Sequence, residues 1–297
     1  MKKIALLTGG SKEKEISFRS AKNIENNLKK THKVDIFVLP EDIGKFFATH
    51  KNYDLVVPMG HGEYIEDGKI IGLLEILNKK YLLSSAETHA ICMNKYLTNL
   101  MVKDLGFTVP ESVLVQKIDD IKNIKFKNKF FVKPNHGGSS VDTGVFENVA
   151  KAKKTITHIL TYDDAIVQQA IKGREFTVSV IGDYDKKPQA IAVTEVVTKR
   201  EFFDHAAKYE WKDTQEITPA NIDKKMQKEL ESTALTIYTI LKIRTLSRID
   251  FLYSKGKFYF LEVNTIPGMT EKSFLPQALE YHGTTTEKFF NDAIKNL

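Results

Sequence analysis

The apolar positions of this 297-residue chain fall into runs whose spacing sets the expected elements. Ile4-Ala-Leu-Leu7 is unbroken and closes on Thr8-Gly-Gly10, which predicts a buried strand over 3–8 and a turn into a helix over 15–30. Strands are expected over 34–39 and 54–58, with a helix-like segment over 41–50 between them. Strands that alternate with helices point to a parallel α/β layer. Apolar spacing predicts helices over 68–79 and 86–105, and Phe107-Thr-Val-Pro110 closes the layer. A second block opens at Val113-Leu-Val115. It carries Phe130-Phe-Val-Lys133-Pro134, a strand that ends in a lysine, then a helix over 149–159 and a strand over 165–169. The third opens with a β-branched strand over 175–181, followed by a strand over 188–197 and an amphipathic helix over 224–242. Between those two lies a polar loop, 200–218, with the only tryptophan, Trp211; loops of that length in compact domains are often functional lids.

After the last helix comes Arg248-Ile-Asp250, an apolar run, and Leu261-Glu262-Val-Asn264-Thr-Ile-Pro267-Gly268. Residues 251–253 and 258–261 read as two strands around the turn cluster Ser254-Lys-Gly-Lys257. A three-residue loop over 255–257 puts Asp250 opposite Glu262, and Asn264 follows on the same face because strand side chains repeat every second residue. Three oxygen-bearing side chains then converge beside an arginine, a donor set suited to Mg²⁺ with substrate phosphates. The competing reading is a solvated face with a surface ion pair. It is disfavoured because the strands are too apolar to be exposed on both faces.

Asn135-His-Gly-Gly-Ser-Ser-Val-Asp-Thr-Gly144 is a loop able to present backbone N–H groups and hydroxyls to an anion, with Lys133 just before it. The lysine precedes the glycines, so this is not a Walker A loop, and glycine-rich loops are common on their own account. His61-Gly-Glu-Tyr-Ile-Glu-Asp-Gly68 follows a strand, where open α/β sheets place ligands; a histidine elsewhere would more often be structural. Gly9-Gly10-Ser11 reads as a tight turn beside one functional acid.

Composition narrows the partners. The formal charge is +6, but only five of the 44 basic residues are arginine and the lysines are scattered, which disfavours a nucleic-acid footprint. Such a surplus still favours the approach of small anions. Cys92 is the only cysteine and lies in an apolar run, so an intrachain disulfide is excluded and a buried packing role is expected. No run approaches a membrane span, and the N-terminal apolar run is too short for a signal peptide, so the cytoplasm is the expected address.

Taken together these parts resemble a D-alanine–D-alanine ligase, of the ATP-grasp superfamily. The resemblance runs in order from Gly9-Gly10, Lys14-Glu-Ile-Ser17, His61-Gly62 and Glu66-Asp-Gly68 through Met93-Asn-Lys95, Lys133-Pro134, Gly138-Ser-Ser-Val141 and Gly173-Arg-Glu175. It continues through Ala207-Lys-Tyr209, Asp213-Thr-Gln215, Pro219-Ala220, Arg248-Ile-Asp250, Glu262-Val-Asn-Thr265, Pro267-Gly-Met-Thr270 and Ser273.

It implies an α/β chain of α+β ATP-grasp type: an N-terminal parallel α/β substrate domain over 1–95, a central lobe over 96–175, and a C-terminal lobe over 176–297 with its lid loop over 200–218. The nucleotide lies between the lobes. The implied reaction joins two D-alanines through an acyl phosphate, with ATP and two Mg²⁺ ions (Mn²⁺ able to substitute), for peptidoglycan precursors. Asp250, Glu262 and Asn264 match the metal ligands. Lys95, Lys133 and Lys208 match phosphate contacts, with Ser140 in the loop over the phosphates. Gln169, Ala170 and Ile171 match the adenine contacts and Glu175 the ribose contact. Arg248 and the N–H of Gly268 match the oxyanion donors. Glu13 matches the acid that holds the first ammonium, linked to Ser139 and Tyr209, with His61 near the first substrate. Ser273, backed by Phe274 and Leu275, matches the pocket for the second carboxylate. A homodimer is expected, with no nucleic-acid or membrane partner.

Six positions depart from the family's usual pattern: Gly137 and Asp142 in the loop, Asn94 before its lysine, Gln168 near the adenine, and Leu246-Ser247 before the arginine. The alternatives are a relative that joins D-alanine to D-lactate or D-serine, another dipeptide ligase, and a non-catalytic nucleotide-binding homologue. Tyr209 within Ala-Lys-Tyr favours an amine as second nucleophile. A basic nucleic-acid binder is a distant third.

Overall fold

The structure is a computed structural model that describes residues 1–10, 13–138, 142–198 and 215–297. β1 (Lys3–Gly9), α1 (Lys14–Leu28), β2 (Lys33–Leu39), α2 (Ile43–Thr49) and β3 (Leu55–Pro58) form the first layer. The sheet order is β2-β1-β3 and both pairings are parallel. Ile4, Ala5, Leu6 and Leu7 are all fully buried, which explains the unbroken apolar run: the central strand of a parallel sheet is covered on both faces. α1 lays Ser17, Ser20, Ala21, Ile24 and Leu28 against it, a stripe at helical spacing that includes two hydroxyls.

The helix expected over 68–79 is α3 (Lys69–Ile76). The single helix expected over 86–105 is two, α4 (Ala86–Met93) and α5 (Lys95–Asp104). The break is at Asn94, whose extended backbone and side-chain oxygen cap α5 by accepting the Leu97 N–H at 2.9 Å. A residue that bonds its own backbone competes with helix continuation. The consequence is functional: Lys95 becomes the first residue of α5, and its N–H reaches the Asn135 carbonyl.

β4 (Ser112–Val115), β5 (Phe130–Pro134), β6 (Gly144–Phe146) and β7 (Ala165–Gln169) form an antiparallel sheet in the order β4-β7-β5-β6. α6 (Val149–Ile159) covers one face with Ala152, Ile156 and Ile159. A second antiparallel sheet, order β10-β9-β8-β11-β12, is built from β8 (Arg174–Ile181), β9 (Gln189–Val197), β10 (Gln215–Ile217), β11 (Leu246–Ser254) and β12 (Lys257–Asn264). β10 corrects part of the loop expected over 200–218, since 215–217 pair with β9. Register sorts this sheet into two faces. Phe176, Val178, Ile249, Phe251, Phe260 and Val263 pack under α7 (Lys224–Ile240). Glu175, Thr177, Ser179, Arg248, Asp250, Glu262 and Asn264 share the other face. Cys92 packs in the α7 core as expected, and burial pushes its thiol up to about 12.

The last described elements are α8 (Phe274–Tyr281) and α9 (Thr286–Asn296), two helices to which the sequence reading assigned no element. Their buried residues Leu275, Ala278, Leu279, Phe290 and Ile294 join the core of the first layer rather than that of the preceding sheet. A three-stranded parallel sheet needs helices on both faces, and the C-terminus supplies part of that cover. It also brings the segment 265–273 beside α1.

Candidate active site

The hairpin reaches the expected pairing by a different route. Ser254 pairs with Lys257, so the turn is Lys255-Gly256, two residues rather than three. Both have positive φ, 50° and 77°, as a tight type I′ hairpin turn requires. A bulge at Leu261 then adds the missing residue: Phe251 pairs with Phe260, but Asp250 pairs with Glu262 and Arg248 with Asn264. The shorter loop and the bulge cancel.

Asp250 accepts four hydrogen bonds. Arg248 holds it in a two-point fork, Nε to Oδ1 and Nη2 to Oδ2, each at 3.0 Å. Thr177 donates to Oδ1 at 2.6 Å and the Asn264 amide to Oδ2 at 3.1 Å. Burial works against the charge on Arg248, but Asp250, Glu262 and Glu175 outweigh it and hold the guanidinium above its usual value. The guanidinium also lies 5.1 Å from the Phe274 ring centroid. Two of its five N–H groups serve Asp250, which leaves three to donate elsewhere.

A cavity of about 940 Å³ is lined from both antiparallel sheets and from the first layer, by Lys95, Lys133, Ile171, Glu175, Asp250 and Glu262 among others. Lys95 is buried; its Nζ donates to the Gly137 carbonyl and lies 3.9 Å from Glu262 Oε2. The N–H groups of Gln169 and Ala170 are used on the carbonyls of Glu111 and Lys129, so of the expected adenine segment only Ile171 lines the cavity. Among the described residues no three His, Cys, Asp or Glu side chains form a metal-holding group; the set here is two carboxylates and an amide.

The glycine-rich loop is pinned at both feet to the turn after α6. His136 donates its backbone N–H to Asp163 at 2.7 Å, with its ring Nδ1 also 2.8 Å from that carboxylate. Asp142 accepts from the Tyr162 hydroxyl at 2.6 Å, and His158 Nε2 is 3.7 Å away. Asp142 has φ 53°, a left-handed conformation that favours glycine, and the Tyr162 bond helps to hold it. Tyr162→Phe is therefore expected to raise the KM for ATP several-fold with little change in kcat, because a hydrogen bond to a charged group contributes about 1.5–3 kcal/mol, of which the part spent on ordering the foot of the loop reaches nucleotide binding. Steady-state kinetics with varied ATP checks this; an unchanged KM would detach the clamp from nucleotide binding. Ser139, Ser140, Lys208 and Tyr209 lie outside the described residues.

The first layer contributes Glu13, whose carboxylate oxygens lie against Gly62 and Gly138. A methyl group on either glycine would come within 3.2–3.3 Å of Glu13 Oε2. Glu66, which the sequence reading left without a role, accepts the Gly62 N–H at 2.7 Å. Burial first, and then Glu13, push its carboxyl up to about 8, so it stays largely neutral at pH 7. His61 is buried, and its N–H donates to Ser17 at 2.8 Å. Ser273 Oγ accepts the Thr270 N–H at 3.1 Å and would be 2.9 Å from a β-carbon at 268, so Gly268 keeps that approach open. Leu275 is inside the core, and only Phe274 of that pair reaches Arg248.

Residues 101–295 match the family model for the C-terminus of D-ala D-ala ligase. The chain is 32% identical to the D-alanine–D-alanine ligase of Thermotoga petrophila, across 99% of this chain and 97% of that one. It is 35% identical to that of Fervidobacterium nodosum, across 98% and 96%. The chain belongs to the D-alanine–D-alanine ligase family.

Solved structures agree with that placement. The D-alanine–D-alanine ligase of Bacillus anthracis in complex with ATP superposes with a TM-score of 0.83 at 25% identity, covering 99% of this chain and 97% of that one. The VanG D-Ala:D-Ser ligase of Enterococcus faecalis gives 0.83 at 26% identity, covering 99% and 98%. The two antiparallel sheets are the ATP-grasp lobes. Within the family pattern, three of the departing residues have local partners. Asn94 caps α5, Asp142 is held by Tyr162, and Gln168 donates to Ser112 Oγ at 3.0 Å.

Proposed function

We propose that this protein joins two D-alanines to D-alanyl-D-alanine at the expense of ATP, in the synthesis of peptidoglycan precursors. The observation that carries the reading is the single cavity in which Glu13, Lys95, Lys133, Glu175, Asp250 and Glu262 meet. An amino-acid ammonium, a nucleotide and its phosphates each find opposite charge there. ATP lies between the lobes, with adenine near Ile171, ribose hydroxyls at Glu175, and phosphates at Lys95, Lys133, Lys208 and Ser140.

The first substrate's ammonium binds Glu13, within the link to Ser139 and Tyr209. Its carboxylate attacks the γ-phosphorus, giving an acyl phosphate and ADP. The second substrate's amine attacks the acyl carbon, phosphate leaves, and an amide remains. Both steps bring anions together, and preorganised donors are most effective where charge develops. Arg248, through its remaining N–H groups, and the Gly268 N–H serve the oxyanion. Ser273 receives the second carboxylate.

Asp250 and Glu262, with the Asn264 amide oxygen, are hard oxygen donors on one face and fit Mg²⁺. The ion supplies charge neutralisation to the phosphates. Asp250 already accepts four bonds, so a cation bound there replaces one of them.

A D-serine or D-lactate acceptor is the second reading, since a D-Ala:D-Ser ligase superposes as well as a D-alanine–D-alanine ligase does. A screen with ATP and Mg²⁺ that reads phosphate release and identifies the product decides between them. D-alanine alone should yield the dipeptide; depsipeptide or mixed product only would overturn the choice. We also propose a homodimer, to be checked by light scattering. No described helix is long and apolar enough to cross a membrane, and the cytoplasm is the proposed location.

A further inference from the structure

Ser20 is fully buried on α1 and sits between two segments of the site. Its Oγ accepts the Met269 N–H at 3.2 Å and lies 3.3 Å from His61 Nε2. Three residues on, the Asn23 amide donates to the Met269 carbonyl at 2.7 Å, so both backbone polar groups of residue 269 are held by α1. Met269 N–H shares its peptide plane with the Gly268 carbonyl, one peptide unit beyond the N–H proposed as an oxyanion donor. On the other side, Ser17 fixes the His61 backbone.

A hydroxyl has one proton to give. Of its two partners among the described residues the Met269 N–H can only donate, so His61 Nε2 is the acceptor available to the proton of this fully buried hydroxyl. A neutral imidazole that accepts at Nε2 carries its proton on Nδ1. Burial keeps His61 below its usual value and Arg248 acts the same way, against Glu13 and the Ile266 backbone.

We propose that Ser20 is a positioning residue. Its hydroxyl fixes His61 in the Nδ1–H form and, through the Met269 N–H, fixes the peptide beside Gly268. His61 then accepts no proton from the substrate amine at Nε2, which is already occupied. Its place is to tie the first layer to the 266–269 segment. This rests on the ligase reading for its kinetic consequence but not for its structural one.

The test has two arms. Nitrogen-15 NMR of histidine-labelled protein, with His61 assigned through His61→Gln, should show Nε2 unprotonated and Nδ1 protonated across neutral pH. An Nε2–H form or an exchanging mixture overturns the proposal. In kinetics, Ser20→Ala should lower kcat by about tenfold to a hundredfold with KM for ATP nearly unchanged, since small displacements of reacting groups are costly. The same substitution in a His61→Gln background should cost under about twofold, because the residues act as one unit. An equal loss in both backgrounds overturns it. Should Ser20→Ala fail to fold, the NMR arm on the unaltered protein decides alone. Lack of D-alanine-dependent phosphate release by the unaltered protein would defeat the ligase reading, while the tautomer remains readable.

Discussion

Glu262→Gln is expected to lower turnover by roughly a thousandfold with the fold intact. Glu262 faces Asp250 in register and lines the cavity, and its side chain is partly exposed, so the change is no core lesion. Lys95 keeps its bond to the Gly137 carbonyl and should stay in place. What disappears is one of the two paired carboxylates that line the cavity. A neutral amide is a poorer ligand for a hard cation than the charged carboxylate it replaces, and metal-ion stabilisation of transition-state charge is worth several kcal/mol at about 1.4 kcal/mol per tenfold in rate. Phosphate release at saturating ATP across a magnesium titration, beside a thermal melt, checks it. Turnover within a few-fold of the unaltered protein, with an unchanged magnesium requirement, would defeat the metal assignment.

The polar face carrying Glu262 was legible in the sequence, because alternation along Arg248-Ile-Asp250 and Glu262-Val-Asn264 places alternate side chains on one face. The pairing itself was reached through the wrong turn. A Lys-Gly pair lacks the Asn or Asp that usually marks a two-residue hairpin turn, and no local signal marks Leu261 as a bulge; only the pairing of β11 with β12 reveals it. The parallel layer was equally plain, since Ile4 to Leu7 can be continuously apolar only if both faces are covered.

What the sequence hid is what depends on distant parts of the chain. The cap at Asn94 is local, yet the apolar spacing of 86–105 outweighed it and concealed the break that starts α5 at Lys95. α8 and α9 fill the first layer's core from the other end of the chain, a partnership that periodicity cannot express. Ser20 looked like an ordinary polar residue in a helix, and its partners are 41 and 249 residues away. Glu66 became notable only once folding set Glu13 near it and buried its carboxyl.

Arg248→Lys is expected to lower kcat by roughly a hundredfold to a thousandfold, the range for loss of one preorganised oxyanion donor, while KM for ATP changes little. Lysine keeps the charge but has no planar fork. It cannot reproduce the paired 3.0 Å bonds to Asp250 and still present donors at fixed angles to the cavity. Thr177 and Asn264 continue to hold Asp250, so the hairpin should persist and the melting temperature should fall only moderately. Arg248→Met separates the two duties: it leaves the Asp250 charge buried without its cation, a lesion of about 3–5 kcal/mol. The lysine variant should thus be folded and slow, and the methionine variant both slow and much less stable. Kinetics and melts of the two together make the comparison. If the lysine variant turned over within a few-fold of the unaltered protein, Arg248 would be a structural partner of Asp250 only, and the oxyanion would have to be served from the Gly268 side alone.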